Sequence, residues 1–288
     1  MLLSTQTEVL AARHGDEEAI RILARAGFDA YDFSMFRMFQ DKEYALNTDL
    51  YREYAENLRR VADEAGIVCN QAHAPFHSST GEEPRDTEIF NAIVRSMEVA
   101  SILGAKIIVV HPKQHLNYMT DAEELKRLNY EFYTALIPYC EKFNIRVACE
   151  NMWKYNKIGG RIIDSTCSRP AEFCEYIDMI DSPWIVACLD VGHAVLTDED
   201  LPTFVRTLGA KRLQALHVHD NDFINDTHAL PFTERIDFRP LCRALKEIGY
   251  EGDFTYEADT FIKRLPEIVE ADALHLMEKV GRYLISII

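Results

Sequence analysis

The sequence predicts an α/β protein, a single-domain (β/α)8 TIM barrel over residues 1–288. Three observations carry the prediction. Strand-like and helix-like segments alternate from end to end, eight of each, which implies a parallel sheet with helices outside it. Several strand runs, such as IIVV before His111, are continuously apolar, as in strands buried on both faces. Acidic and imidazole residues recur where these runs end, the position at which such barrels keep their chemistry.

In order, Met1–Thr7 reads as the first strand and Asp16–Ala26 as a helix stopped by Gly27. Phe28–Ser34 is strand, Asp49–Ala65 helix up to Gly66, Ile67–His73 strand, and Asp86–Leu103 helix up to Gly104. Lys106–His111 is strand, Ala122–Phe143 a long helix, and Ile145–Glu150 strand. Pro170–Ile180 is helix, with Ser168 as its expected cap, and Trp184–Asp190 is strand. A short helix follows near Leu201–Leu208, then strand Leu213–Asp220 and helix Pro240–Ile248 with Gly249 as its stop. Asp253–Glu257 is the eighth strand and Leu265–Ile285 the eighth helix. An open doubly wound sheet is the competing architecture, but no GxGxxG follows any strand, and a closed barrel brings all the strand ends together. The long irregular stretches Ala74–Arg85, Trp153–Thr166 and Asp220–Asp237 all follow strands and are candidate lids or substrate loops.

Composition narrows the class. The chain is 48% apolar and 27% charged, ordinary for a globular protein, and no apolar run approaches the roughly 20 residues needed to span a bilayer. The N-terminal stretch lacks a basic region and turns polar after Leu3, unlike a signal peptide. Seven cysteines are scattered without CxxC spacing and read as buried thiols, so a cytoplasmic location is expected. A net charge of −16 argues against a large nucleic-acid surface and leaves a small-molecule partner as the expectation.

The chemistry sits in His73 (QAHAP), His111 (IIVVHP), Glu150 (VACEN), Asp190 and His193 (CLDVGH), His217 (ALHVHD), Asp226 and His228 (DTH), and Glu257 (TYEAD). Hard carboxylates and imidazoles converging from many strand ends are what divalent metals require. A carboxylate ending a buried strand is costly unless paired or metal-bound. Asp190 and His193 sit three apart across a turn, and His217 and His219 alternate on one strand and share a face. Asn151 and Asn221 flank these groups and are expected to orient them. His14, His77 and His275 follow no strand and carry no assignment. Lys113 and His115, after His111, are candidates to touch an anionic substrate group.

These motifs, in this order and across essentially the whole chain, resemble the xylose-isomerase-like barrel superfamily. It holds sugar isomerases and epimerases, inosose-type isomerases and dehydratases, and the second-family apurinic/apyrimidinic endonucleases. In the sugar branch the resemblance implies a metal held by Glu150, Asp190, His217 and Glu257, with the two glutamates doubling as the acid/base pair. In the endonuclease branch it implies three zinc ions, drawing also on His73, His111, His193, Asp226 and His228. One divalent ion (Mn, Zn, Co or Mg) and up to three are therefore open, as is a homo-oligomer. The chain departs from the pattern at PFTERID, where a glycine-rich turn is usual; bulky Phe232 suggests altered substrate access, and Arg235 joins His193 and Lys113 as a candidate substrate contact.

The leading expectation is a metal-dependent isomerase or epimerase of a sugar, sugar phosphate or related polyol ketone, acting by proton transfer through an enediolate. The alternatives are a zinc-dependent phosphodiesterase like the abasic-site endonucleases, and an inosose-type dehydratase.

Overall fold

The computed structural model describes residues 1–288. The chain begins with β1 (Leu3–Thr5), α1 (Glu8–His14), α2 (Asp16–Ala26), β2 (Ala30–Ser34), α3 (Tyr51–Ala65), β3 (Val68–His73) and α4 (Glu83–Leu103). It continues through β4 (Ile107–Val109), α5 (Tyr118–Phe143), β5 (Arg146–Glu150), β6 (Trp153–Asn156), β7 (Arg161–Asp164), α6 (Pro170–Ile180) and β8 (Ile185–Asp190). Then come α7 (Val191–Leu196), α8 (Leu201–Arg212), β9 (Leu213–His217), α9 (Phe238–Ile248), β10 (Phe254–Tyr256), α10 (Asp259–Lys263) and α11 (Glu270–Ser286).

Six strands pair in parallel in the order β2-β3-β4-β5-β8-β9, and β1 pairs in parallel with β10. Single parallel bridges, Gln6–Asp32 and Val218–Tyr256, join the two sets and close the ring. The eight barrel strands are thus those expected, although several are shorter at their ends. Glycines end the helices as the sequence implies: Gly27 and Gly66 adopt φ of 93° and 72°, a conformation open to glycine at little cost.

Four features depart from the sequence reading. The stretch Trp153–Thr166, expected to be irregular, contains the antiparallel hairpin β6–β7. Short helices α1 and α7 follow β1 and β8 directly. The eighth helix, α11, begins at Glu270, later than expected, after Pro266 and a 3-10 turn at Glu267–Val269, and a further short helix, α10, precedes it. Ser168 does not cap α6; the capping position is Arg169, and the Ser168 hydroxyl instead accepts from the Ser165 amide at 3.3 Å.

Side chains alternate across each strand. The outward set, with the inner helix faces, forms a core of 70 buried apolar residues. Inside the ring a separate small cluster, Val109, Ala148, Val186, Cys188 and Ala215, fills the β4–β5–β8–β9 side. The opposite side is polar and internally paired: Ser4 donates to Thr255 at 2.9 Å and Gln71 to Asp32 at 2.9 Å, all four buried. Two residues further along each strand the inward positions become His73, His111, Glu150, Asp190, His217 and Glu257. The packed floor therefore sets the height of the chemical layer. All seven cysteines are free and six are buried. No helix is long and apolar enough to cross a membrane.

Candidate active site and metal centre

Glu150 is the hub. Its Oε2 lies 3.3 Å from His111 Nε2, 3.3 Å from His217 Nδ1 and 3.7 Å from His73 Nε2, while Oε1 lies 3.3 Å from His193 Nδ1. His217 Nδ1 also faces Glu257 Oε2 at 2.9 Å. Donor atoms of Glu150, Asp190, His217 and Glu257 all lie within 4.8 Å of one another. A second set of the same compactness comprises His193, His219, Asp226 and His228.

More than half of the chain's buried side-chain polar atoms without a hydrogen-bond partner belong to these residues: His73 Nε2, both Glu150 oxygens, Asp190 Oδ2, both His217 nitrogens, Asp226 Oδ1 and Glu257 Oε2. A buried polar atom left unpaired costs about 1–3 kcal/mol, more when charged. Eight such atoms facing a common centre form a donor set of the kind a divalent cation satisfies. Several of these side chains are held by their other polar atom. Glu257 Oε1 accepts from Gln6 Nε2 at 2.8 Å, and Asp190 Oδ1 accepts from the His193 amide at 2.6 Å. His73 Nδ1 contacts the Ala74 carbonyl at 2.8 Å. Asn151 bridges the ends of β5 and β8 by trading hydrogen bonds with the Asp190 backbone at 2.8 and 2.9 Å, as expected of an orienting group. Asn221 donates to the Gly192 carbonyl at 3.0 Å.

Electrostatics follow the geometry. Burial alone would raise the Glu150 carboxyl, but the imidazoles of His111 and His217 outweigh it and hold it well below the usual range. Glu257 is likewise lowered: burial opposes, and His217 and His228 prevail. Both are ionised at neutral pH. Burial disfavours the charged form of His193 and His228, yet Asp190 and Asp226 raise the first, and Asp226 lifts the second to about 10. Without a metal ion the imidazoles of His193, His217 and His228 carry the counter-charge, whereas burial lowers the pKa of His111.

The layer opens into a cavity of about 730 Å³, walled by loop residues after β1, β3, β4, β5 and β10. Six of the nine motif residues line it, and His73, Asp190 and His217 lie in the buried layer beneath. Lys113 and Arg235 do not line it. Asn129 on α5 grips the Lys113 backbone at 2.7 and 2.9 Å, and the ammonium lies 5.5 Å from the Phe132 ring centre. Arg235 is exposed, because Asp220 takes the amides of Glu234, Arg235 and Ile236 at 2.8–3.0 Å and folds that loop away. Phe232 packs instead against Phe238 and Tyr283, so the expected change in substrate access does not arise from it. His77, left unassigned by sequence, lines the cavity, and His14 pairs with Glu270 at 2.9 Å. Sequence reasoning missed Gln6, Asp32, Trp153 and Lys154. Asp32 faces His217 Nε2 at 3.5 Å, and Trp153 Nε1 donates to Asp226 Oδ2 at 3.0 Å. The inward position of Asp32 on β2 was legible from strand alternation; the hairpin residues had no comparable signal.

Residues 20–279 match the family model described as the xylose isomerase-like TIM barrel. The chain belongs to that family. Fructoselysine 3-epimerase of Escherichia coli O157:H7 is 23% identical over 263 residues, 90% of each chain. An uncharacterized protein of Methanocaldococcus jannaschii is 28% identical over 195 residues, 64% of this chain and 62% of its own length. A probable endonuclease 4 of Listeria monocytogenes serotype 4b is 26% identical over 174 residues, 56% of this chain and 54% of its own. Among solved structures, a D-tagatose 3-epimerase-like protein superposes with a TM-score of 0.75 at 22% identity, covering 99% and 98% of the two chains. A structure of IOLI protein with a binding zinc atom gives 0.78 at 18% identity, covering 99% and 98%.

Proposed function

We propose that this barrel is a metal-dependent epimerase or isomerase of a ketose or related polyol ketone. One observation carries the reading: two buried, ionised glutamates, Glu150 and Glu257, flank the same cluster of unpartnered donors and open onto a small-molecule cavity. The likeness to sugar 3-epimerases over nearly the whole chain supports it.

Glu150, Asp190, His217 and Glu257 would hold a divalent ion, which when bound supplies Lewis-acid polarisation of the substrate carbonyl and its neighbouring hydroxyl. The protein's own groups do the rest. The free oxygen of one glutamate takes the proton from the carbon beside the carbonyl, and the other glutamate, having first taken up a proton from solvent, returns that proton to the carbon. Delivery to the opposite face inverts that carbon; a single glutamate acting alone shuttles the proton between neighbouring carbons. Gln6 fixes Glu257 so that Oε2 is the atom presented. His193, buried beside Asp226, lines the cavity where a substrate hydroxyl would sit. The site fits a small carbohydrate partner.

The test is incubation of metal-loaded protein with ketohexoses in D₂O, read by NMR. Deuterium uptake at a carbon beside the carbonyl, with formation of the epimer or isomer, is the expected result. No exchange with any ketose in fully loaded protein would remove the proton-transfer reading. The second cluster, His193, His219, Asp226 and His228, favours one alternative, a multi-zinc phosphodiesterase. Three zinc ions per chain by elemental analysis together with cleavage of abasic DNA would establish it.

A further inference from the structure

Away from the ligand cluster, the cavity wall contains one half-buried lysine, Lys154 on β6. Its Nζ donates to the carbonyls of Gln114 and Leu116 at 3.4 and 3.1 Å, and no carboxylate pairs with it. The protein carries −16 net charge and its acids pair widely with arginine, so a cavity-lining ammonium supported only by neutral carbonyls is unusual. The ammonium has three donors, of which two are used. The carbonyls it touches lie on either side of His115, which also lines the cavity. His115 Nδ1 is engaged by the Ser79 hydroxyl at 2.5 Å, and its Nε2 makes no hydrogen bond. Ser165 donates to Gln114 at 3.2 Å and Thr166 to the Lys113 carbonyl at 3.3 Å, tying this loop to the segment that follows β7.

The remaining cavity lysine, Lys263 on α10, is exposed and lies in the field of Glu8 and Asp259. The wall therefore carries Lys154 without a carboxylate beside it and Lys263 with Glu8 and Asp259 as neighbours. At about 730 Å³ the cavity is roomier than an unsubstituted monosaccharide requires and lies within the usual range for larger small-molecule ligands, about 300–1,000 Å³.

We propose that Lys154, with His115 and Ser79, forms the subsite for an anionic substituent of the substrate, a phosphate monoester or a carboxylate at the end of the sugar remote from the metal ligands. The inference rests on the sugar-epimerase reading. An anion there converts the ammonium's unused donor into a charge-assisted hydrogen bond in a partly desolvated corner, stronger than the neutral contacts it now has. A lysine suits this task, since it acts as a point charge and tolerates either anion geometry.

The experiment is calorimetric binding of three probes, a ketohexose, its 6-phosphate and a glycated amino acid bearing a free carboxylate. Wild type, Lys154→Met and Lys154→Arg are compared, each metal-loaded and metal-free. The expected result is at least tenfold tighter binding of one anionic probe than of the neutral ketose by wild type. Lys154→Met should erase that preference without changing neutral-ketose affinity, and Lys154→Arg should restore most of it. Which anionic probe wins distinguishes phosphate from carboxylate. The preference must persist without metal, because phosphate also binds metal ions. Equal binding of all three probes by wild type overturns the proposal, as does a Lys154→Met loss that is the same for neutral and anionic probes. Turnover is measured separately: an intact binding preference with no proton exchange would fault the epimerase reading and leave the anion subsite standing.

Discussion

Replacing Gly192 with alanine should weaken metal binding although Gly192 ligates nothing. A Cβ built there would lie 1.9 Å from His219 Cε1, 2.4 Å from Nε2 and 2.6 Å from Nδ1. The helical backbone at Gly192 suits alanine, so the conflict is purely steric. Ordinary contact begins at 3.4 Å, so the ring must retreat by 1.5 Å. It has nowhere free to go: it is fully buried, stacked on His228 with centroids 4.2 Å apart and planes 9° from parallel, and its Nε2 lies 3.1 Å from Asp190 Oδ1. A displacement of that size breaks one of the two contacts that hold Asp190 Oδ1, the other being the His193 amide, and so loosens Oδ2 at the proposed metal. Losing such a supporting partner costs about 10–100-fold in metal affinity, and the overpacking itself costs about 1–3 kcal/mol of stability. Competition against a chromophoric chelator gives the affinity, and the visible spectrum of the cobalt(II)-loaded protein reports the coordination. His219→Ala, which vacates the ring's space, should lower affinity similarly, and the double variant should match His219→Ala alone because the clash disappears. Wild-type affinity in Gly192→Ala, or additive losses in the double variant, would refute the reasoning.

Four further outcomes are expected. Glu257→Gln, measured metal-replete, should lose about 10²–10⁴-fold in kcat and in exchange of the substrate proton with D₂O, since the amide cannot accept a proton; exchange at the wild-type rate would show that Glu257 is not the base. Asp32→Asn should weaken metal binding about tenfold or more by removing the carboxylate facing His217 Nε2, checked by the same chelator competition. Metal affinity should rise with pH, because the buried carboxylates raise His193 and His217 and hold protons that a metal must displace; a flat profile from pH 6 to 8 by calorimetry would contradict this. Glu172 lies outside the cavity, and burial raises it to about 7 despite hydrogen bonds from Tyr118 and the Cys167 amide. A raised folded-state pKa means that its contribution is fully present below about 4.5 and is lost as pH climbs through 7, by at most on the order of 3 kcal/mol. Glu172→Gln should flatten that part of the melting-temperature profile.

By itself the sequence determined the barrel and its chemical layer. Alternating segments, glycine stops and apolar strands are local signals, and strand periodicity fixes which face a residue takes. That is why Glu150, Asp190, His217 and Glu257 converge as their strand-end positions imply. Tertiary structure decided what surrounds them. The sequence singles out Lys113 and not Lys154, yet Lys113, its backbone held by Asn129 of the helix that follows, does not line the cavity, and Lys154 is carried to the wall by a hairpin whose strands leave little trace in composition. Gln6 on Glu257, His219 on Asp190 and Trp153 on Asp226 join residues 251, 29 and 73 positions apart. Such pairings depend on how strand ends meet around a closed ring, a long-range geometric property that no local run of residues encodes. The division of the motif histidines and acids into two clusters arises in the same way, since Asp190 sits between them only once the ends of β8 and β9 lie side by side.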